Sequence, residues 1–104
     1  MPDFVLAYHG SKRPADGAQY MARWKAWMTG LGEALVNPGV PMGQSKTVSA
    51  GGVADDGGQN PLAGFSIIRA ENIDAAVALA RSCPHLEIGT IEVAEALQMK
   101  MGPD

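Results

Sequence analysis

The chain has 104 residues, which is the usual size of one domain. Apolar residues make up 46% of it, enough for one layered core. Eight Lys and Arg against eleven Asp and Glu give a net charge of −3, and the bases are scattered along the chain. A nucleic-acid-binding protein needs clustered positive charge, so this class is excluded.

The single cysteine cannot form an internal disulfide, so the fold does not require an oxidising compartment. No apolar run approaches the roughly 20 residues that cross a bilayer. The start of the chain, Met1–Phe4, carries an acid where a secretory signal places bases. We therefore expect one soluble, cytoplasmic domain over residues 1–104 that does not interact with a membrane.

The first third of the chain predicts a strand and a helix. Phe4–His9 is an apolar run closed by a glycine, which is typical of a buried strand. From about residue 14 to 35 apolar residues recur every three or four positions, with Asp16 as a cap or first-turn acid and Asn37–Gly39 as the stop. The predicted buried face of this helix consists of Met21, Trp24, Met28, Leu31 and Leu35.

The middle of the chain holds most of the thirteen Gly and several of the seven Pro and is predicted to be irregular. Within it, Ser45–Ser49 predicts a short strand, and Ala50–Gly52 predicts a tight turn into Val53. Asp55–Pro61 has the composition of a loop.

The last third predicts a strand, a helix and a strand. Gly64–Arg69 is the first strand, and Asn72 caps a helix that runs to about Cys83, where Pro84 ends it. The buried face of this helix is predicted to be Ile73, Ala76, Val77 and Ala80. The final strand spans about Ile88–Leu97, with Ile91, Val93 and Leu97 on one side and Thr90, Glu92 and Ala94 on the other.

The order β-α-β-(β)-β-α-β predicts a ferredoxin-like α+β fold, an antiparallel sheet with two helices on one face. No helix is left to cover the other face. The apolar residues Phe65, Ile67, Ile91 and Val93 cannot all point toward the helices. We therefore expect the second face to be buried against another copy of the chain, in a homodimer.

Two histidines could carry chemistry. His9 ends a buried strand, where its side chain either faces a cleft as a base or bonds to the backbone, and the sequence favours neither. His85 lies in the loop after the second helix, where an exposed and idle side chain is favoured over a cleft residue. The chain has no metal-binding spacing of His or Cys, so we predict no metal and no cofactor.

Other polar or aromatic features favour structural roles. Cys83 lies at a helix C-terminus, which disfavours a thiolate, so a small buried residue is predicted. Asp55 and Asp56 are neighbours in a turn and are predicted to form it. Trp24 fits the helix period of the core, whereas Trp27 lies off that period and is a candidate pocket or interface residue.

Several segments together resemble the YCII-related family, in particular its DGPF-domain branch, and the resemblance covers essentially the whole chain. They are Tyr8–Gly10, Lys46–Ser49, Asn60–Ile68, Asn72–Ala76, Cys83–Leu86 and Ile91–Val93. The resemblance implies a dimeric α/β barrel, in which two ferredoxin-like units face each other through their sheets and each protomer has a cleft.

The resemblance also bears on activity. The family includes a dehydrochlorinase of a chlorinated hydroxyhydroquinone, and other members occur beside or fused to sigma factors. Its proposed chemistry rests on a His on the first helix and an Asp before the Pro that ends the second. Alignment places Tyr20 and Cys83 at these positions, and the Asp-Gly-Pro-Phe signature is absent, since Gly58 follows Asp56-Gly57. A tyrosine does not replace imidazole as a base at neutral pH without a large change in its pKa.

Two hypotheses follow. In the first, the homodimer is a cofactor-free enzyme that binds a small aromatic or lactone-like molecule, with His9 as the catalytic residue of an elimination or isomerisation. The substrate-binding residues would then be Tyr20, Trp27, Ser66 and His85. In the second, the chain is a non-catalytic ligand-binding or regulatory module linked to sigma-factor signalling.

Overall fold

The computed structural model describes residues 1–99. Its strands and α-helices in chain order are β1 (Asp3–His9), α1 (Gly17–Leu31), β2 (Leu35–Asn37), β3 (Thr47–Ser49), β4 (Gly52–Ala54), β5 (Leu62–Arg69), α2 (Ile73–Ala80) and β6 (Thr90–Glu95). Short 3-10 helices follow α1 and α2, at Gly32–Ala34 and Pro84–Glu87. Four strands form an antiparallel sheet in the order β2-β5-β1-β6, so the predicted ferredoxin-like α+β fold is confirmed.

The core lies between the sheet and the two helices. Along β1 the side chains alternate, so Phe4, Leu6 and Tyr8 are buried under the helices. Leu6 pairs with Ser66 of β5 on one side and with Val93 of β6 on the other, which places the same face of all three strands in the core. The core is completed by Ile68 of β5, by Ala70 just after that strand, and by Ala76 and Ala80 of α2.

Helix α1 is shorter than predicted, and its buried face is rotated. Tyr20 is its buried residue, and Trp24, Trp27 and Leu31 pack against the core from the same side. Met21, which was predicted to be buried, is 64% exposed. Trp27, which the helix period places off the core as a pocket or interface candidate, packs against the core, and its Nε1 donates a hydrogen bond to the Leu79 carbonyl oxygen at 3.2 Å. This bond joins the two helices.

The edge strand of the sheet is β2, which the sequence placed in the end of the first helix and its stop. Leu35 pairs with Ile68, so a residue predicted to be helical belongs to the sheet. The predicted strand Ser45–Ser49 is not in the four-stranded sheet. Its second half, β3, pairs with β4 in a separate two-stranded ribbon, in which Val48 opposes Val53.

The last third of the chain matches the prediction more closely. Asn72 caps α2, its side chain accepting a hydrogen bond from the Ala75 amide at 2.8 Å. The helix ends at Ala80 rather than near Cys83, and the predicted buried residues Ile73 and Val77 are 49% and 39% exposed. In β6, Ile91 and Val93 lie on one side, as predicted, and that side faces the helices. Leu97, predicted on the same side, follows the end of the strand and is exposed.

The other face of the sheet has no helix over it. Val5, Ala7, Phe65 and Ile67 alternate with the core residues of β1 and β5 and are half-buried. Neither α-helix within residues 1–99 is both long and apolar enough to cross a membrane.

Candidate functional site

A cavity of about 700 Å³ lies between α1, β5 and the Pro38–Pro41 segment, and we call it the α1–β5 cavity. Its walls are mainly apolar and aromatic, with a few polar groups, as in binding sites for small molecules. The residues that line it include Tyr8, Tyr20, Trp24, Met28, Ser66 and His85.

The Pro38–Pro41 segment is held over β5 by a close backbone approach. Gly39 has a positive φ of 71°, and a side chain there would overlap the Phe65 carbonyl oxygen. Only glycine satisfies both conditions. The Met42 amide then donates a hydrogen bond to the Ala63 carbonyl oxygen at 2.9 Å, which fixes this wall of the cavity.

A short hydrogen-bond chain forms the floor of the cavity. The buried Tyr8 hydroxyl donates to Ser66 Oγ at 2.8 Å, and Ser66 Oγ donates to the Pro38 carbonyl oxygen at 2.8 Å. Burial raises the pKa of Tyr8 well above its ordinary value, so Tyr8 is a neutral donor at physiological pH. The chain ties the sheet to the segment that covers it.

Aromatic rings form the wall on the side of α1. The ring of Trp24 meets the ring of Tyr8 edge to face, with centroids 5.2 Å apart and an angle of 89°. The ring of Tyr20 lies 6.3 Å from Trp24 at 71°. Burial raises the pKa of Tyr20, so this hydroxyl also stays protonated at neutral pH.

His85 is buried and lines the cavity, so the expectation of an exposed, idle side chain is wrong. Its Nε2 lies 2.9 Å from the His9 carbonyl oxygen. Because a carbonyl oxygen only accepts, Nε2 must donate, and Nδ1 of the neutral ring is left able to accept a proton. Gly89 permits this contact, since a side chain there would overlap the His9 carbonyl oxygen and crowd His85 Nε2.

Arg23 attaches the turn that carries His85 to α1. Its guanidinium donates to both carboxylate oxygens of Glu87 at 2.9 and 2.7 Å and to both of Asp16 at 3.2 Å. These bonds raise the pKa of Arg23 and lower that of Asp16. Asp16 precedes α1 as predicted, but its side chain makes this ion pair instead of a cap hydrogen bond.

The structure places His9 outside the α1–β5 cavity. Successive side chains of a strand point to opposite faces, so His9 lies on the uncovered face while Tyr8 points to the helices. Its Nδ1 is 3.1 Å from the Asn60 carbonyl oxygen, and its Nε2 is 3.1 Å from Glu92 Oε1. Both partner atoms are oxygen acceptors, so whichever ring nitrogen carries a proton can donate to one of them.

Of the residues predicted to share a site, Tyr20, Ser66 and His85 line one cavity, whereas His9 and Trp27 lie elsewhere. The sequence did not predict that Tyr8 and the Pro38–Pro41 segment line the cavity. Tyr8 carried a signal, because it continues the alternation of Phe4 and Leu6 toward the helices. The Pro38–Pro41 segment carried none, because its position depends on contacts with β5.

Cys83 is buried, as predicted, and burial raises the pKa of its thiol to about 11. Asp56 accepts a hydrogen bond from the Gly58 amide at 3.1 Å and so forms a turn, as predicted. Within residues 1–99 no group of three His, Cys, Asp or Glu side chains is arranged to hold a metal ion.

The sheet order and the cavity define a ferredoxin-like α+β domain with a ligand-sized cavity beside its first helix. The model of the YCII-related domain matches residues 5–100, and the chain therefore belongs to the YCII-related family. No curated protein sequence matches the chain significantly.

A solved structure with the same fold is that of 5-chloro-2-hydroxyhydroquinone dehydrochlorinase (TftG) from Burkholderia phenoliruptrix AC1100, in complex with 2,5-dihydroxybenzoquinone. The two chains are 17% identical, with a TM-score of 0.57 over 96% of this chain and 95% of that one.

Proposed function

We propose that the chain binds a small aromatic or lactone-like molecule in the α1–β5 cavity. The observation that carries the proposal is the cavity itself, whose volume of about 700 Å³ lies within the usual range for ligand sites. Its aromatic wall suits a flat apolar molecule, and the hydroxyls of Tyr20 and Ser66 with His85 offer polar contacts. TftG, which has the same fold, was solved in complex with 2,5-dihydroxybenzoquinone, and this supports a ligand of similar size here.

If the bound molecule is also converted, we place the proton transfer on His85 instead of His9. His85 lines the cavity, and its Nε2 bond to the His9 carbonyl leaves Nδ1 able to accept a proton. An isomerisation would return that proton to another atom of the ligand. An elimination would release it to solvent as an anionic group leaves. Neither reaction requires a cofactor.

A non-catalytic ligand-binding or regulatory module, linked to sigma-factor signalling, is the second candidate. It is supported by Tyr20 and Cys83, which stand where the family's proposed His and Asp would be. Burial raises the pKa of both groups, so neither is a base near neutral pH. The single cysteine is free, which suits a reducing compartment, and we place the protein in the cytoplasm.

We propose that the uncovered sheet face forms a homodimer. Val5, Ala7, Phe65 and Ile67 give this face an apolar centre that a second copy would bury. In such a dimer the α1–β5 cavity stays on the side of the helices, so each protomer would keep its own binding site.

The binding proposal is tested by blocking the cavity. Thr29 is exposed on α1 and lines the cavity, so Thr29→Trp should fill its mouth without disturbing the core. Ala26 is exposed on the same helix but does not line the cavity, so Ala26→Trp is the matched control. A panel of aromatic acids, phenols and lactones is titrated by calorimetry. A ligand should bind the native chain and Ala26→Trp but not Thr29→Trp. Equal binding to both variants would contradict the proposal.

Catalysis is tested separately on any ligand found. His85→Gln should abolish turnover while changing binding little, and His9→Gln should leave turnover unchanged. If the native chain binds a ligand and does not convert it, the non-catalytic hypothesis is supported. If His9→Gln abolishes turnover while His85→Gln does not, the assignment to His85 is wrong.

A further inference from the structure

One side chain gives the α1–β5 cavity its charge. Lys25 is the only Lys, Arg, Asp or Glu among the described residues that line the cavity, and the other polar side chains there are hydroxyls, the Trp24 indole and the His85 imidazole. The chain as a whole has a net charge of −3, so a cationic cavity wall is not a consequence of its composition. A wall with a lysine and no carboxylate favours an anionic or neutral ligand over a cationic one.

The ammonium of Lys25 is available to a ligand. Lys25 follows Met21 by four residues and precedes Met28 by three, so the three side chains share one face of α1, and all three line the cavity. Arg23, two residues earlier, is held by Glu87 and Asp16, whereas Lys25 makes no ion pair within residues 1–99. Lys25 is therefore the cation of this helix that a ligand can neutralise.

We propose that the ligand is an aromatic carboxylate. Its ring would lie against the aromatic wall formed by Tyr20 and Trp24, and its carboxylate would pair with Lys25 at the mouth of the cavity. The inference rests on the proposed function, because it names the class of molecule that the same cavity takes. Lys25 sets specificity in this proposal, since it attracts an anion at a cavity that is otherwise neutral.

The test compares 2-naphthoate with 2-naphthamide, which has a similar shape and no charge. Both are titrated by calorimetry into the native chain, Lys25→Gln and Lys25→Arg. Lys12→Gln is the matched control. Lys12 is exposed and lies outside the cavity, and its substitution removes the same charge. Lys25→Gln should weaken 2-naphthoate binding by about 3- to 5-fold, as expected for a partly exposed ion pair. It should leave 2-naphthamide binding unchanged.

Lys25→Arg should keep most of the affinity for 2-naphthoate, and Lys12→Gln should keep all of it. Added NaCl should weaken 2-naphthoate binding to the native chain more than to Lys25→Gln. The inference is overturned if Lys25→Gln weakens both compounds equally, which would indicate a packing role, or weakens neither. If neither compound binds the native chain, the aromatic-ligand proposal fails and this inference fails with it. If both bind equally and independently of Lys25, only the charge inference fails.

Discussion

Replacing Tyr8 and Ser66 singly and together tests whether the floor of the α1–β5 cavity is the hydrogen-bond chain described above. Tyr8→Phe removes one neutral hydrogen bond, while Ser66 still donates to the Pro38 carbonyl oxygen. The expected loss in the free energy of unfolding is about 0.5–1.5 kcal/mol.

Ser66→Ala should lower the free energy of unfolding more, because the buried Tyr8 hydroxyl loses its oxygen acceptor and keeps only the weakly accepting Cys83 thiol. An unsatisfied buried donor costs about 1–3 kcal/mol. Pro38 is exposed, so its carbonyl oxygen can bind water instead. When Tyr8 is already replaced by Phe, there is no Tyr8 hydroxyl to lose its acceptor. Ser66→Ala should therefore lower the free energy of unfolding less in that variant than in the native chain. The summed losses in the free energy of unfolding for the two single variants should therefore exceed the loss for the double variant by about 1 kcal/mol.

The assay is urea unfolding at one fixed protein concentration, followed by circular dichroism. Ser82→Ala is the matched control, since exposed Ser82 also donates to a backbone carbonyl, that of Leu79 at 3.1 Å. It should change the free energy of unfolding by less than about 0.5 kcal/mol. If the losses for Tyr8→Phe and Ser66→Ala add within about 0.3 kcal/mol, the two side chains are not coupled and the reasoning is refuted.

Three further predictions concern the thiol, a packed glycine and the sheet face. The pKa of Cys83 is about 11 in the folded chain against an ordinary value of 9.0, so the unfolded chain loses this proton first as the pH rises. Stability should be constant below about pH 9 and fall toward pH 11, by at most about 1.4 kcal/mol per pH unit from this group. Unfolding curves of Cys83→Ala should show a shallower fall, and an equal slope would contradict the assignment. Gly89→Ala should lower the free energy of unfolding by about 1–3 kcal/mol, because the added side chain would overlap the His9 carbonyl oxygen and crowd the His85 ring. Gly30 lies on α1 with no neighbouring atoms in reach of an added side chain, so Gly30→Ala should raise the free energy of unfolding by about 0.5–1 kcal/mol in the same urea assay. A Gly89→Ala variant as stable as the native chain would argue against the His85 contact. In sedimentation, Ile67→Glu should convert the proposed dimer to a monomer, whereas Ile73→Glu, at an exposed position of α2, should not; a native species near 10.9 kDa would exclude the dimer.

The elements that could be predicted are those with local signals. The apolar run of β1 ends at a glycine, β5 alternates along its length, and Asn72 caps α2 through its own side chain. These signals lie within a few residues of the element that they define, and their order along the chain was enough to predict the ferredoxin-like sheet.

The rotation of α1 could not be predicted from its period. Residues 20, 24, 27 and 31 form one apolar stripe, and residues 21, 24, 28 and 31 form another at the same spacing. Only packing against the sheet selects the first, in which the aromatic side chains of Tyr20 and Trp27 contact the interior. The three-residue strand β2 was missed for a similar reason, because its apolar residue Leu35 continues the helical period and is fixed by its pairing with Ile68.

The residues of the candidate site also divide into those that the sequence could place and those whose position depends on distant contacts. Ser66 and Tyr20 were predicted to lie in a cleft, and both line the cavity. His85 was expected to be exposed because it follows a proline in a loop, but its burial depends on a bond to the His9 carbonyl 76 residues away. No local pattern encodes such a contact.

The central claim is that a small aromatic ligand occupies the α1–β5 cavity, in contact with His85 and away from His9. The most direct measurement is a proton NMR titration of the two histidine Cε1–H signals with 2-naphthoate, assigned with His85→Asn and His9→Asn. The His85 signal should shift on binding, because His85 lines the cavity, while the His9 signal should not respond. A shift of the His9 signal with none at His85, or no response from either histidine at saturating ligand, would contradict the central claim.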